Sequence, residues 1–111
     1  MKIEVGNTGN YIEIKLSGRL DTNSSRDLEK TLSENIINGN EDLLISLEKL
    51  VYINSSGLRV FLTAAKQLGT KSKKLSFCEM QPYIKEVFDI AGFNKIFNFY
   101  TTRREAVANM L

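Results

Sequence analysis

The stretch that joins an apolar strand to an amphipathic helix reads Val51-Tyr52-Ile53-Asn54-Ser55-Ser56-Gly57-Leu58-Arg59. The helix is indicated by apolar residues three and four positions apart, at Leu58, Phe61, Leu62, Ala65 and Leu68. Small polar residues such as those at 54–56 cap helix starts, and Gly69 is a typical helix end. The stretch therefore predicts a strand that leads directly into a helix, which is a building unit of α/β folds.

Strands and helices also alternate on the N-terminal side of this stretch. Alternating apolar and polar residues predict two half-buried strands, around Ile3–Val5 and Tyr11–Leu16, joined as a hairpin by the loop Gly6–Asn10. The capping run Asp21-Thr22-Asn23-Ser24-Ser25 predicts a helix start, and Asn38-Gly39-Asn40 predicts its end. Leu43-Leu44-Ile45-Ser46-Leu47 is almost continuously apolar, so we expect a central strand covered on both faces.

The C-terminal side adds two more strand–helix units. Leu75–Cys78 predicts a fourth strand, and Pro82 suits the first position of a helix that runs to Ala91 and stops at Gly92. Ile96–Phe99 predicts a short edge strand, and a last helix starts at Thr102, which has the spacing of a capping box with Glu105. We therefore expect a single α/β domain over residues 1–111, in the order β-β-α-β-α-β-α-β-α, with a mixed sheet packed against helices.

The composition favours a protein partner. The 111 residues carry 15 basic and 13 acidic side chains, and a net charge of +2 supports neither nucleic-acid binding nor attraction to anionic lipid. The one cysteine, Cys78, lies among apolar residues and cannot form an internal disulfide, so we expect it to be buried. No apolar run has the length of a signal peptide core or of a membrane span, and we expect a cytoplasmic protein.

Few enzyme classes are compatible with these residues. The chain has no histidine and one cysteine, which removes the usual zinc sites and the Ser-His and Cys-His nucleophile pairs. Neither phosphate-binding glycine motif occurs, so a nucleotide site of either kind has no support, and we expect no metal or other cofactor. A serine–lysine hydrolase stays formally open, although no lysine is singled out as a desolvated base.

Two further clusters favour structural interpretations. Lys71, Lys73 and Lys74 could form a basic patch, but a charged connector between a helix and a strand is usually solvated. An aromatic cluster could stack on nucleic-acid bases, but its alternation and its lack of interleaved arginines favour a strand that covers the core. Its members are Phe93, Phe97, Phe99 and Tyr100.

The start of the second predicted helix is the candidate site. Backbone amides at a helix start are unpaired and the helix dipole is positive there, so a phosphate group on a serine is tolerated or stabilised. The competing interpretation is that Asn54, Ser55 and Ser56 serve only as helix caps, and these residues taken alone favour it.

Three segments resemble the anti-sigma factor antagonist family, the STAS domain shared with sulfate transporters. Residues 54–58 are similar to the family's Asp-Ser-Ser-Gly-Leu motif, whose first serine is phosphorylated by a partner kinase, and by position that serine is Ser55. Ser17–Asp21 is similar to the family's turn before the first helix, and Pro82–Phe97 looks like its third-helix segment. The resemblance covers essentially the whole chain and implies a STAS-like fold.

The resemblance implies partner switching and not catalysis. The unmodified domain would bind a serine-kinase anti-sigma factor and so release a sigma factor. Phosphorylation of Ser55 would break that complex, and a serine phosphatase would reset it. The positions that carry over to the partner-binding face are Asp21, Asn54, Ser55, Ser56, Gly57 and Leu58.

Two residues depart from the family's pattern. The acidic residue before the serine is Asn54 here, and the aspartate usual in the central strand is Ser46. Asn54 keeps an oxygen that accepts a backbone hydrogen bond, but it loses a negative charge that a kinase could recognise. One alternative stays open, in which the chain is an accessory or scaffold subunit of a transporter or stress-signalling complex and its serine is never phosphorylated.

Overall fold

The computed structural model describes residues 1–110, in which the strands form one mixed sheet. In chain order the strands are β1 (Lys2–Asn7), β2 (Tyr11–Leu20), β3 (Asp42–Ile53), β4 (Leu75–Cys78) and β5 (Asn98–Tyr100). They lie side by side in the same order; β1 is antiparallel to β2, and each later neighbouring pair is parallel. The predicted mixed sheet is confirmed. Leu111, the predicted end of the domain, lies outside the described residues.

Helices follow the strands in the predicted order. They are α1 (Thr22–Asn38), α2 (Ser55–Gly69), α3 (Pro82–Ile90) and α4 (Arg103–Met110), with a 3₁₀ turn at Phe93–Lys95. Right-handed crossovers between parallel neighbours place the connecting helices on one face of a sheet, and α1, α2 and α3 accordingly share one hydrophobic core. At the start of α4, the Glu105 amide donates to Thr102 Oγ1 at 3.1 Å, which forms the threonine half of the predicted capping box.

The larger core lies between the sheet and these three helices. At its centre Phe61, Phe77 and Phe88 are fully buried, and the Phe77 ring centroid lies 5.0 Å from that of Phe61 and 5.3 Å from that of Phe88. The aromatic residues near the C-terminus close this cluster, as expected of a core-covering segment. They are Phe93, Phe97 and Phe99.

The opposite face of the sheet is partly covered by α4. Ala106 of this helix packs with the buried side chains of Tyr11 and Cys78, which confirms that the cysteine is buried. Arg103 donates from Nε and Nη2 to the two oxygens of Glu13, at 2.7 and 2.8 Å. The expectation that β2 is half-buried is therefore wrong for Tyr11 and Glu13, because α4 returns across their side of the sheet.

The two central strands are longer than predicted. β2 continues through Ser17–Leu20, so the segment that resembles the family's turn is strand up to the residue before Asp21. β3 extends beyond Leu47 to Ile53, although two exposed charged residues interrupt its apolar run. Leu50 and Ile53 remain buried and β2 pairs with this extension, which is why the strand does not end at the charges.

The last strand starts later than predicted. β5 begins at Asn98 and not at Ile96, because the preceding turn still holds the chain: the Phe97 amide donates to the Phe93 carbonyl at 3.1 Å. Gly92 has a φ of 80°, in the left-handed region, and follows the end of α3 as expected of a helix-stopping glycine.

Lys71 has a specific structural contact that the expected solvated connector does not explain. Its ammonium group donates to the carbonyl of Gly39 at 2.8 Å and also to the carbonyl of Ile36, at the C-terminal end of α1. The last carbonyls of a helix lack partners within the helix and attract cations. The solvated interpretation is therefore wrong for Lys71, which caps α1.

Candidate functional site

The first two helices begin next to each other at one edge of the sheet. Leu20 pairs with Ile53 where β2 and β3 end, and the following residues, Asp21 and Asn54, are the N-caps of α1 and α2. The two caps have nearly the same backbone, with φ −113° and ψ −170° at Asp21 and φ −115° and ψ −176° at Asn54. Parallel strands bring their carboxyl ends to one edge, so both positive helix ends meet here.

Asp21 closes the start of α1 through a capping box. Its Oδ1 accepts hydrogen bonds from the amides of Asn23 and Ser24, at 3.1 and 3.0 Å, while Ser24 Oγ accepts from the Asp21 amide at 2.9 Å. The hydrogen bonds from Ser24 are the main reason that the pKa of the Asp21 carboxyl lies below its ordinary value. The carboxylate predicted to face a partner is thus already engaged in its own helix.

Asn54 caps α2 and connects it to α1. Its Oδ1 accepts from the Gly57 amide at 3.2 Å, and its Nδ2 donates to Thr22 Oγ1 at 3.3 Å. Thr22 Oγ1 also lies 3.3 Å from Ser56 Oγ, and Arg59 Nη2 donates to that same serine oxygen at 3.2 Å. We call Thr22, Asn54, Ser56 and Arg59 the cap network, because they join the starts of both helices.

Ser55 is the exposed member of the motif. It is the first residue of α2, and no residue in 1–110 forms a hydrogen bond with its hydroxyl group. Ser56, in contrast, is half-buried and held by the cap network. Of the two adjacent serines, Ser55 is therefore the one whose oxygen is free to be modified without breaking an existing contact.

Gly57 and Leu58 support these serines from below. A Cβ atom on Gly57 would lie 2.6 and 2.8 Å from side-chain atoms of Leu20 and 3.0 Å from one of Ile53. Leu58 is 9% exposed and belongs to the larger core. Both residues thus set the position of α2 on the sheet, and their predicted contact with a partner stays a prediction.

A shallow groove of about 310 Å³ lies between α1 and α2 beside Ser56. Arg26 and Glu29 line it from α1, and Ser56 and Arg59 line it from α2. The side chain that donates to Ser56 is an arginine, which does not lose its proton in proteins and cannot act as a base toward the hydroxyl. The serine–lysine hydrolase interpretation thus gains no support from the contacts at this site.

Two other classes of feature are absent from the described part of the chain. Within residues 1–110, no group of three or more metal-binding side chains comes together. Over the same residues, no helix combines the length and the apolar character that crossing a membrane requires.

Ser46, the departure in the central strand, is buried beside β4, where it pairs with Cys78 and lies outside the cap network.

The sequence motif identified the caps but not their partners. Thr22 joins the cap network through contacts with Asn54 and Ser56, which are 32 and 34 residues away in sequence. Arg59 joins it through Ser56, one helical turn away. The usable signal was the repeated pattern of an apolar strand followed by a capping residue, at Asp21 and again at Asn54. Two such units in a parallel sheet place their helix starts side by side.

Comparisons with known proteins agree with this fold and motif. Residues 2–106 match the family model of the STAS domain. BtrV of Bordetella bronchiseptica, whose name describes a candidate anti-sigma factor antagonist, is 34% identical over 108 residues, or 97% of this chain and 93% of BtrV. The anti-sigma-B factor antagonist of Staphylococcus aureus is 28% identical over 96 residues, covering 86% of this chain and 89% of that protein.

A solved structure supports the fold independently. The Bacillus cell fate determinant SpoIIAA in its phosphorylated form matches with a TM-score of 0.77 at 20% identity, over 99% of this chain and all of that one. At this identity the likeness concerns the fold alone. The family model, in contrast, spans nearly the whole sequence. The chain therefore belongs to the STAS domain family.

Proposed function

We propose that this chain is an anti-sigma factor antagonist of the cytoplasm that is switched by phosphorylation of Ser55. In its unmodified form it binds a serine-kinase anti-sigma factor, which then releases a sigma factor. The kinase transfers phosphate to Ser55, the complex separates, and a serine phosphatase restores the unmodified form. The chain is a substrate and a binding partner in this cycle and not the catalyst, and it contacts no nucleic acid directly.

The observation that carries this proposal is the exposed hydroxyl of Ser55 at the first residue of α2, which forms no hydrogen bond within residues 1–110. A phosphate group there adds a charge of about −1.5 to −2 next to the positive end of the helix dipole. The caps at Asp21 and Asn54 hold both helix starts without using Ser55. Further support comes from the names of the relatives and from the phosphorylated form of SpoIIAA.

A negative charge introduced at position 55 should weaken binding to the kinase. Ser55→Ala should retain affinity for the kinase, whereas Ser55→Glu should weaken binding by roughly 2 to 5 kcal/mol, because it places an unpaired charge in a desolvated interface. By affinity arithmetic this is a loss of about thirty-fold to several-thousand-fold. Calorimetry with the purified kinase measures both variants.

A matched control is Ser72→Glu, since Ser72 is an exposed serine beyond the opposite end of α2 and its variant should bind like the parent. Equal affinities for Ser55→Ala and Ser55→Glu would show that this surface is not the switch. Phosphopeptide mapping after incubation with the co-occurring kinase and ATP gives an independent check. Phosphate found on Ser24, Ser25 or Ser56 instead of Ser55 would contradict the assignment.

Asn54 gives a specific reason to keep a second candidate, an unphosphorylated accessory subunit of a transporter or stress-signalling complex. If the chain is a working substrate, its kinase accepts an uncharged residue here, and Asn54→Asp should change the initial rate of phosphate transfer only modestly. The variant keeps the oxygen that caps Gly57, so its fold should be retained. A folded parent that no co-occurring kinase modifies, yet that binds a transporter ATPase, would favour the accessory subunit.

A further inference from the structure

Arg59 brings a guanidinium group to the start of α2. It donates from Nη2 to Ser56 Oγ at 3.2 Å, and it forms no ion pair with any acidic side chain in residues 1–110. Glu29 lines the same groove from the neighbouring helix but does not pair with it. A guanidinium carries five donors, so one bond to a neutral hydroxyl leaves most of its capacity unused.

Arg59 also stands four residues after Ser55 on the same helix. Side chains four apart lie on one face, with Cβ atoms about 5 to 6 Å from each other, and an anion that precedes a cation is the favourable order. The exposed Ser55 hydroxyl has no competing contact within residues 1–110. A phosphate group on it would thus be within reach of the planar fork with which arginine binds phosphate through two parallel hydrogen bonds.

We propose that Arg59 is the phosphate-binding residue of this chain, and that it leaves Ser56 to pair with the phosphate group on Ser55. The inference rests on the proposed phosphorylation of Ser55, and it identifies Arg59 as the positive charge that pairs with the phosphate group. The exchange leaves the helix cap intact, because the bond from Gly57 to Asn54 does not involve Arg59. Ser56 keeps its contact with Thr22, so the link between α1 and α2 also survives.

The exchange changes what a partner meets at this surface. Before modification the exposed group is the Arg59 cation, which forms no ion pair within residues 1–110. Afterwards the same position holds a phosphate–arginine pair with net negative charge. A partner that binds the cation loses it in the same step that adds the repelling anion. Arg59 therefore adds the loss of an available cation to the repulsion that comes from the phosphate group.

The test uses the full chain with phosphoserine inserted at position 55 during protein synthesis, so that no kinase is needed. A phosphorus NMR titration measures the second pKa of the phosphate group in the parent and in Arg59→Gln. The loss of a nearby cation should raise that pKa by about 0.2 to 0.7 units, as expected for an exposed ion pair. Arg59→Lys keeps the charge and should recover part of the shift.

Arg26→Gln is the matched control, because Arg26 lines the same groove from α1 but lies outside the cap network. Its phosphate pKa should equal that of the parent. An unchanged pKa in Arg59→Gln, or an equal rise in Arg26→Gln, would overturn the inference. Neither result bears on whether a kinase modifies Ser55 or whether Ser55→Glu loses its partner, so the proposed function stands or falls separately.

Discussion

Among the single residues of the candidate site, Gly57 is one at which the sheet leaves no room for a side chain. It lies in the first turn of α2, where the helix backbone approaches Leu20 and Ile53 so closely that a methyl group has no room. The same glycine amide is bound by the cap residue Asn54. The absence of a side chain here thus lets the capped helix start, which carries Ser55, pack against the ends of β2 and β3.

Gly57→Ala should therefore destabilise the chain, although alanine is normally the better helix former. The added methyl group would lie 2.6 Å from Leu20, and overpacking of this kind costs about 1 to 3 kcal/mol in the free energy of unfolding. Gly69→Ala is the control at the other end of α2, where nothing lies within 4 Å of the added atom. Urea unfolding of both variants should show a loss for the first and a neutral or slightly stabilising effect for the second.

The residue-level prediction from sequence was successful for the caps and incomplete for their neighbours. Asn54 and Asp21 could be recognised because capping depends on residue type and on a local break in the apolar pattern. The cap network could not be predicted, since Thr22 meets Ser56 only when β2 and β3 pair in one particular register. Lys71 was misinterpreted for the same reason, because its acceptors belong to a distant helix end.

Among the elements, α4 is attached to the sheet by a contact between residues 90 positions apart, Arg103 and Glu13. The Glu13 side chain is 9% exposed and Arg103 is 45% exposed, so the pair lies at the edge of the smaller core. Arg103 also donates to the hydroxyl of Tyr11 at 3.1 Å. The hydrogen bonds to the Glu13 carboxylate raise the pKa of the Arg103 guanidinium above its ordinary value.

Arg103→Ala should loosen α4 and lower the free energy of unfolding by about 1 to 3 kcal/mol, because it leaves the Glu13 carboxylate buried without its charged donor. Arg104→Ala, at the exposed neighbouring position, should stay within about 0.5 kcal/mol of the parent. In a double-mutant cycle with Glu13→Ala, the combined loss should be smaller than the sum of the two single losses. Additive losses would mean that the two side chains do not stabilise each other.

Most elements could be predicted from the sequence alone, but the burial of the second face of β2 could not. The alternation of β2 describes one apolar face correctly, since Ile12, Ile14 and Leu16 are all buried. The burial of Glu13 depends on a helix that is formed ninety residues later, and no local pattern in β2 indicates it. Tertiary packing thus decides how much of a strand is buried, even where the alternation of its apolar and polar residues is clear.

In the whole molecule, the proposed switch acts on a surface that is set apart from both cores. Ser55 is exposed at the sheet edge, whereas the residues beneath it belong to the larger core. The order of elements could be predicted because each element carries a local apolar period or a capping residue, even where the period does not reach the end of the element. The sheet order and the register could not, because they depend on which strands meet after the helices have packed.

Ser55→Glu and the phosphorylated chain should therefore keep the parental fold. Both should unfold in a single transition, with a free energy of unfolding no more than about 1 kcal/mol above that of the parent, since an exposed negative charge at a helix start stabilises the helix by about 0.3 to 1 kcal/mol. Amide NMR shifts should change at the start of α2 and at neighbouring residues of α1 only. Shifts spread over β4 and α4, or a lower melting cooperativity, would mean that the switch works by partial unfolding.

The buried Cys78 allows the opening of the sheet face beneath α4 to be measured from the rate of thiol labelling. Its thiol is 0% exposed, and burial raises its pKa to about 11, so a labelling reagent that needs the thiolate cannot react with the closed molecule. The labelling rate then reports how often the chain opens at this face. The ratio of this rate to the rate of a free thiol gives the equilibrium constant of that opening, and hence its free energy, without any denaturant. A chain that carries Arg103→Ala would label faster, and the gain in rate would separate the detachment of α4 from the unfolding of the whole domain.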